Sequence, residues 1–311
     1  MKSEPSPFVH TVTTEEQPVP GLDPVASARW LAMPRRSSPW LHEEVGSRMA
    51  ERLSCFRQMP RDWLHVEPIL GGLAAHRVLR LLLPQAPIHV WSVQGLAAQR
   101  ATQERLGQWS RPWTWGRRLT PSLADEHTQV DLVWANMLLH HAPRPMAWMR
   151  QWLQYLRVQG FVLFSCLGPD SLRELRHVHA RMGWPAPAHA FTDMHDWGDM
   201  LVQVGFAEPV MDMERLTLTY ADAQAMLKDL REMGRNLSLD RVSWGGRSGR
   251  QRWCEALEAH GHRDDQGRLT LTLEIIYGHA AKASPRLKAG PTTAVSLQAM
   301  RDMLRPTPHP D

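Results

Sequence analysis

The chain has 311 residues, 43% hydrophobic and 22% charged, the balance of an ordinary globular protein with material for one large domain and a sizeable core. A net charge of +4 and a pI near 9.2 favour acidic partners, but no Lys/Arg tract interleaved with aromatics supports nucleic-acid binding. No apolar run approaches the ~20 residues of a membrane span, no apolar core follows Lys2 as in a secretory leader, and Cys55, Cys166 and Cys254 form no CxxC pair, which argues against a disulfide framework or thiolate zinc site and for a reducing cytoplasm.

Residues 1–23 are rich in Pro, Ser, Thr and Glu without periodicity and read as a disordered arm; residues 285–311 read as a flexible tail with a short helix around Ala294–Leu304. Between them, residues 24–284 form the predicted domain. Leu41, Val45, Met49 and Leu53 recur every four residues and predict a helix from Trp40 to Phe56. Trp63–Val66 reads as a strand, Gly71-Gly72 as a turn, and Leu73–Leu83 as a helix stopped by Pro84. A strand at Ile88–Val93, a helix near Leu96–Leu106 and a polar loop, LADEHTQ, follow. VDLVWAN (130–136) is a buried strand, Pro145 opens a helix through MAWMRQWLQYL, and FVLFSC (161–166) is another strand after Gly160. Strands separated by helices of about a dozen residues signal βαβ units and a doubly wound, mostly parallel sheet.

The second half has a helix from Thr192 to Val204 and a long strand, Val210–Tyr220. Asp222 caps the helix AQAMLKDLREMG, closed by Gly234. A Gly/Ser/Arg-rich loop (235–250), a helix over Gln251–His260 and a strand over 269–280 complete the domain. The fourteen Trp, against three Tyr, are expected to fill core and half-buried sites.

An open parallel sheet binds ligands beyond the carboxyl ends of its strands, where strand order reverses. An adenosyl ligand there needs close backbone approach, an acid near the first strand end for its polar end, and a second acid after the next strand for the ribose hydroxyls. Glu67 stands at the first of these positions, and Gly71 and Gly72 supply backbone freedom, with the bulkier Pro68, Ile69 and Leu70 between. The second strand ends in Ser92, Val93 and Gln94, with no carboxylate; Gln94 or Ser92 offers a neutral hydrogen bond instead. Asn136, at the carboxyl end of its strand, either faces the crevice or bonds its own turn. His140 and His141 are acid/base candidates by pKa, though a helix-start or surface role is the expectation. The pairs His177/His179 and His260/His262 lack a third ligand, so no metal site is expected, and neither a GxSxG elbow nor a Walker loop occurs.

VDLVWANMLLHH, RVQGFVLFSCLGPDSLRELR (157–176), HAFTDMHDWGDMLVQVGFAEPVMDMERLTLTYADAQAMLKDLREMG (189–234) and LTLEIIYGHA (271–280) resemble the malonyl-[acyl-carrier protein] O-methyltransferases of biotin synthesis. The resemblance covers roughly Pro39 to Ala280. It implies a Rossmann-like, seven-stranded class I methyltransferase fold with a helical insertion before the last strand. It implies S-adenosylmethionine as cofactor, with Glu67, Gly71, Gly72, Gln94 and Asn136 as cofactor-site candidates, and acyl carrier protein or a small acyl substrate as partner. Arg173 and Arg176, after the fifth strand, are candidates to hold the substrate carboxylate, since a guanidinium fork suits one. Where the family has an acid followed by GxGxG, this chain has EPILGG; the ribose acid has no counterpart; and ASARWL (26–31) carries Trp30 where a Tyr is usual. Two alternatives stay open: a scaffold that kept the fold without the catalysis, or another adenosyl-dependent modification such as protein hydroxylation, as in a mitochondrial complex I assembly factor related to the family.

Overall fold

The computed structural model describes residues 19–109, 120–241 and 246–284. The expected tail helix at Ala294–Leu304 and most of the N-terminal arm lie outside the described residues. In chain order the elements are α1 (Pro24–Leu31), α2 (Trp40–Ser54), β1 (Trp63–Val66), a single turn α3 (Pro68–Gly71), α4 (Leu73–Leu82), β2 (Ile88–Trp91), α5 (Leu96–Trp109), β3 (Ser122–Leu123) and β4 (Val130–Ala135). Then come α6 (Pro145–Tyr155), β5 (Leu156–Leu167), α7 (Arg173–Arg181), α8 (Met194–Val204), β6 (Phe206–Tyr220), α9 (Ala223–Met233), α10 (Gly246–His260) and β7 (Leu269–Lys282).

The strands form one seven-stranded sheet of order β3-β2-β1-β4-β5-β7-β6. β3, β2, β1, β4 and β5 pair in parallel, while β7 runs antiparallel to both β5 and β6. Side-chain alternation sorts each central strand onto two faces. Trp63, Leu132 and Trp134 enter one apolar cluster with α2, α9 and α10; Leu64, Val66, Val133 and Ala135 enter a second with α1, α6 and α8. Helices therefore cover both faces, and α9 with α10 forms the insertion between β6 and β7. Four tryptophans, Trp63, Trp134, Trp152 and Trp197, are among the largest fully buried side chains. Among the described residues no helix is long and apolar enough to cross a membrane.

Several boundaries differ from the sequence expectation. Val19–Asp23, placed in the disordered arm on composition, are tied down: Val19 N–H donates to Pro143 O, Asp23 N–H to Leu237 O, and Leu22 is buried and bridges Ser238. The polar loop after α5 begins with the two-residue edge strand β3, which extends the sheet at Val90 and escapes any periodicity. β5 starts five residues before Phe161, across an irregularity where Gln159 adopts φ 67° and Gly160 sits within 3.0 Å of three carbonyl oxygens if given a Cβ. α10 begins at Gly246, inside the expected loop.

Candidate active site

Strand order reverses between β1 and β4, so the ligand crevice lies beyond their carboxyl ends. Glu67 leaves β1 in the left-handed region, at φ 49°, ψ 58°. α3 then makes one turn, and Gly72, at φ 121°, opens α4. The two glycines serve contacts within the protein: a Cβ on Gly71 would lie 3.3 Å from Asn136 O, and one on Gly72 3.1 Å from both Ala75 Cβ and Glu43 Oε2. From Gly71 to His76 every backbone N–H is committed. Gly71 donates to Glu67 O, Gly72 to Pro68 O and His76 to Gly72 O. Leu73, Ala74 and Ala75 donate to the Glu43 carboxylate of α2 at 2.8–3.1 Å, and Leu73 also to Ser38 Oγ. A carboxylate at a helix N-terminus meets both unpaired donors and the positive end of the dipole.

Asn136 is fully buried and bonds inward. Its Nδ2 donates to His42 O at 2.6 Å and Gly71 O at 2.5 Å, and its Oδ1 accepts from Ser165 Oγ at 2.6 Å. The amide thus joins α2, the first loop and β5, and its bonds go to other elements where its own turn was the expected alternative. Gln94 is exposed; its Nε2 donates to Leu31 O at 2.7 Å. Glu67 is 6% exposed, and its Oε1 accepts from Ser92 Oγ at 2.6 Å and from Val93 N–H at 2.8 Å. Burial raises its pKa, while the Ser92 and Val93 hydrogen bonds and the Arg35 charge oppose the rise.

α1 spans the crevice. Asp23 caps it, accepting from Val25 and Ala26 N–H, and pairs with Arg241 at 2.6 Å. Ser27 Oγ donates to His141 O at 2.5 Å, and Trp30 Nε1 to His141 Nε2 at 3.3 Å. Arg35, just beyond, donates to the carbonyls of Trp30, Leu31 and Met33 and lies 4.2 Å from the Trp30 ring centre. Leu70 is buried in the same cluster as Trp30 and Leu31, whereas Ile69 packs with Leu73, Val90 and Leu106.

Beside the crevice lies a cavity of about 220 Å³, walled largely by apolar side chains such as Met137, Leu167, Phe191, Leu230 and Trp253. Five histidines complete the wall: His42, His140, His141, His179 and His189. All five are buried, contrary to the surface role expected for His140 and His141. Their apolar setting, between β4, β5 and the insertion, desolvates the charged form. Burial pushes His42 and His189 down to about 4, and His140 and His141 well below the ordinary range. Bonding partners fix two tautomers: His189 Nε2 donates to His140 O, and His141 Nε2 accepts from the Trp30 indole, leaving its proton on Nδ1. At neutral pH the wall therefore carries no imidazolium. Its cations are Arg231, on the last turn of α9, and Arg235, just beyond; among the described lining residues there is no carboxylate. Arg235 also lies 5.4 Å from the Trp30 ring centre.

Arg173 and Arg176 stand elsewhere. Arg173 is exposed and paired with Glu174 at 3.1 Å. Arg176 is half-buried behind the cavity wall, donating to Ser171 O and to the carbonyls of the lining residues Ala188 and His189. Sequence reasoning missed Arg231 and Arg235; the available signal was two arginines flanking the glycine that ends an amphipathic helix.

The strand order, the antiparallel β7 and the crevice at the β1/β4 switch define a class I methyltransferase fold, the class that uses S-adenosylmethionine. The chain belongs to the malonyl-[acyl-carrier protein] O-methyltransferase family. It is 35% identical over 258 residues to the family member of Gallionella capsiferriformans, covering 81% of this chain and 87% of that protein. It is 34% identical over 278 residues to the member of Laribacter hongkongensis, covering 86% and 90%. No protein-family model matches. Among solved structures it is similar to the YcgJ protein of Bacillus subtilis, at TM-score 0.48 and 11% identity, covering 78% of this chain and 99% of that one.

The donor set fits the nucleoside end of S-adenosylmethionine. Beyond β2, Ser92 Oγ and Val93 N–H bond a carboxylate, that of Glu67 from the end of β1. The amides from Gly71 to His76, already committed, contribute nothing to its amino-acid end.

Proposed function

We propose that this chain methylates the free carboxylate of a malonyl group borne by acyl carrier protein, the substrate for which its relatives are named. The methyl ester would feed biotin precursor synthesis in the cytoplasm. The observation that carries this reading is the apolar cavity whose charged groups are Arg231 and Arg235. Bound S-adenosylmethionine supplies an electrophilic methyl group; Glu67 and Gln94 are the residues that would hold it.

The chain's own task is positioning. Leu167, Leu172 and Leu230 take a short acyl group out of water, which strips hydration from the attacking carboxylate and strengthens every charge contact inside. Arg231 and Arg235 set the carboxylate's orientation, taking the role first expected of Arg173 and Arg176. No proton has to move, because a carboxylate oxygen is already the nucleophile, and the uncharged histidines bring no cation that competes with the arginines for it.

Methylation of malonyl-acyl-carrier protein tests the reading. The wild type is expected to turn over, and Arg231→Ala/Arg235→Ala to raise KM by at least about tenfold, the loss expected of a severed charge-assisted bond. Failure of the wild type to bind S-adenosylmethionine at millimolar concentration in calorimetry overturns it.

A further inference from the structure

We propose that Glu67 holds the ribose hydroxyls of the cofactor, delivering from β1 the carboxylate that β2 lacks. The inference rests on the methyltransferase reading above and assigns Glu67 a different role from that of orienting the ligand's amino-acid end.

Three observations converge. The first is the backbone. A non-glycine residue at φ 49° sits in a sparsely populated region that surrounding structure must hold in place. The conformation turns the chain as it leaves β1, and the side chain ends at the tip of the neighbouring strand. The second is where the carboxylate lands. Ser92 Oγ and Val93 N–H, the first groups past β2, both bond Oε1, at 2.6 and 2.8 Å. Ser92 in turn accepts from Gln94 N–H at 3.1 Å, so the acid is built into the β2 turn from both sides. A serine in place of an acid leaves room for an acid from next door, and its hydroxyl fixes that acid's position. The third is space. Gly95, at φ 88°, would meet nothing within 4 Å of an added Cβ, so the turn that follows Ser92 and Val93 has open space around it.

A vicinal diol donates two hydrogen bonds, and a carboxylate is an acceptor with two oxygens. Ser92 and Val93 donate to Oε1, and the Gln94 side chain and the Arg35 charge also act on the carboxylate, which fixes it at the β2 turn. Relocating the acid also accounts for the altered loop. Pro68, with no N–H, opens a helical turn directly after Glu67 and leaves the side chain free to cross to β2.

The test is calorimetric titration of the full chain with S-adenosylhomocysteine and with its 2′-deoxyribose counterpart, using wild type, Glu67→Gln, and Glu67→Ala with and without Ser92→Asp, each checked for an unchanged melting temperature. Glu67→Gln is expected to weaken S-adenosylhomocysteine by at least about tenfold, the scale of a hydrogen bond to a charged group, and to weaken the deoxy counterpart far less. Ser92→Asp, which returns the acid to β2, is expected to recover most of the affinity lost in Glu67→Ala. Equal affinities of wild type and Glu67→Gln overturn the proposal and leave the methyltransferase reading standing. Equal losses on both ligands without rescue by Ser92→Asp overturn it too, and reduce Glu67 to a tie between β1 and β2. A wild type that binds neither ligand overturns both readings.

Discussion

A histidine that cannot take up a proton where it sits becomes a liability in acid. Burial holds His42 and His189 at about 4 and His76 at about 3, against an ordinary value near 6.5. The unfolded chain binds these protons as pH falls through 6.5, while the folded chain refuses them until pH 3–4, so unfolding takes up protons and stability rises with pH across that window. We expect the melting temperature to hold above pH 7 and to fall steadily between about 6.5 and 4, with each site costing on the order of 2–3 kcal/mol at the acid end. A flat profile over that window would show that these rings are hydrated. At this scale the sequence was partly legible. The end of β1 placed Glu67, but its reach to Ser92 depends on a left-handed backbone that no residue-type pattern announces. Arg231 and Arg235 read as charges at a helix end, and only the cavity against which α9 packs makes them more.

Elements are tied together by side chains that lie far apart in sequence. Glu43, in the first turn of α2, caps α4 thirty residues later by accepting from three successive N–H groups. Gly46, one turn on, lets α4 approach so closely that an added Cβ would stand 2.5 Å from Ala75 Cβ and 3.1 Å from Asn136 Nδ2. Glu43→Ala is expected to cost about 1–2 kcal/mol, the worth of a well-placed N-terminal carboxylate, read as a lower urea midpoint with unchanged slope. α2 itself was legible, because its apolar stripe repeats every four residues; β1, β2, β4 and the second half of β5 were legible as short apolar runs, and β7 as an alternating strand. The cap on α4 was not, since a side chain arriving from another helix leaves no local signature. α1 could have been read: Asp23-Pro24 is a cap followed by a proline at the first helical position, and both act as such.

For the whole molecule, alternation of strand and helix was enough to give a doubly wound sheet, because right-handed crossovers leave few ways to lay such units side by side. The order of the last two strands was not in that pattern. β6 and β7 pair over thirteen positions as an antiparallel ribbon, yet α9 and α10 intervene between them in the chain. The insertion is what adds an apolar cavity to the doubly wound sheet, by laying α9 and Trp253 of α10 over the ends of β4 and β5.

The N-terminal helix draws its fastenings from far along the chain: Leu31 from Gln94, Ser27 from His141, Asp23 from Arg241, the last 218 residues away. Closing loops of that length costs entropy before any contact repays it, so such contacts tend to form late and yield early. We expect the sheet to assemble first and α1 to settle on it last. Amide hydrogen exchange should then find α1 exchanging through a low-energy opening that leaves β4 protected, and occupation of the crevice should slow exchange in α1 far more than in the strands. On that outcome folding order and ligand entry become a single property: the segment that docks last is the one whose release admits the ligand.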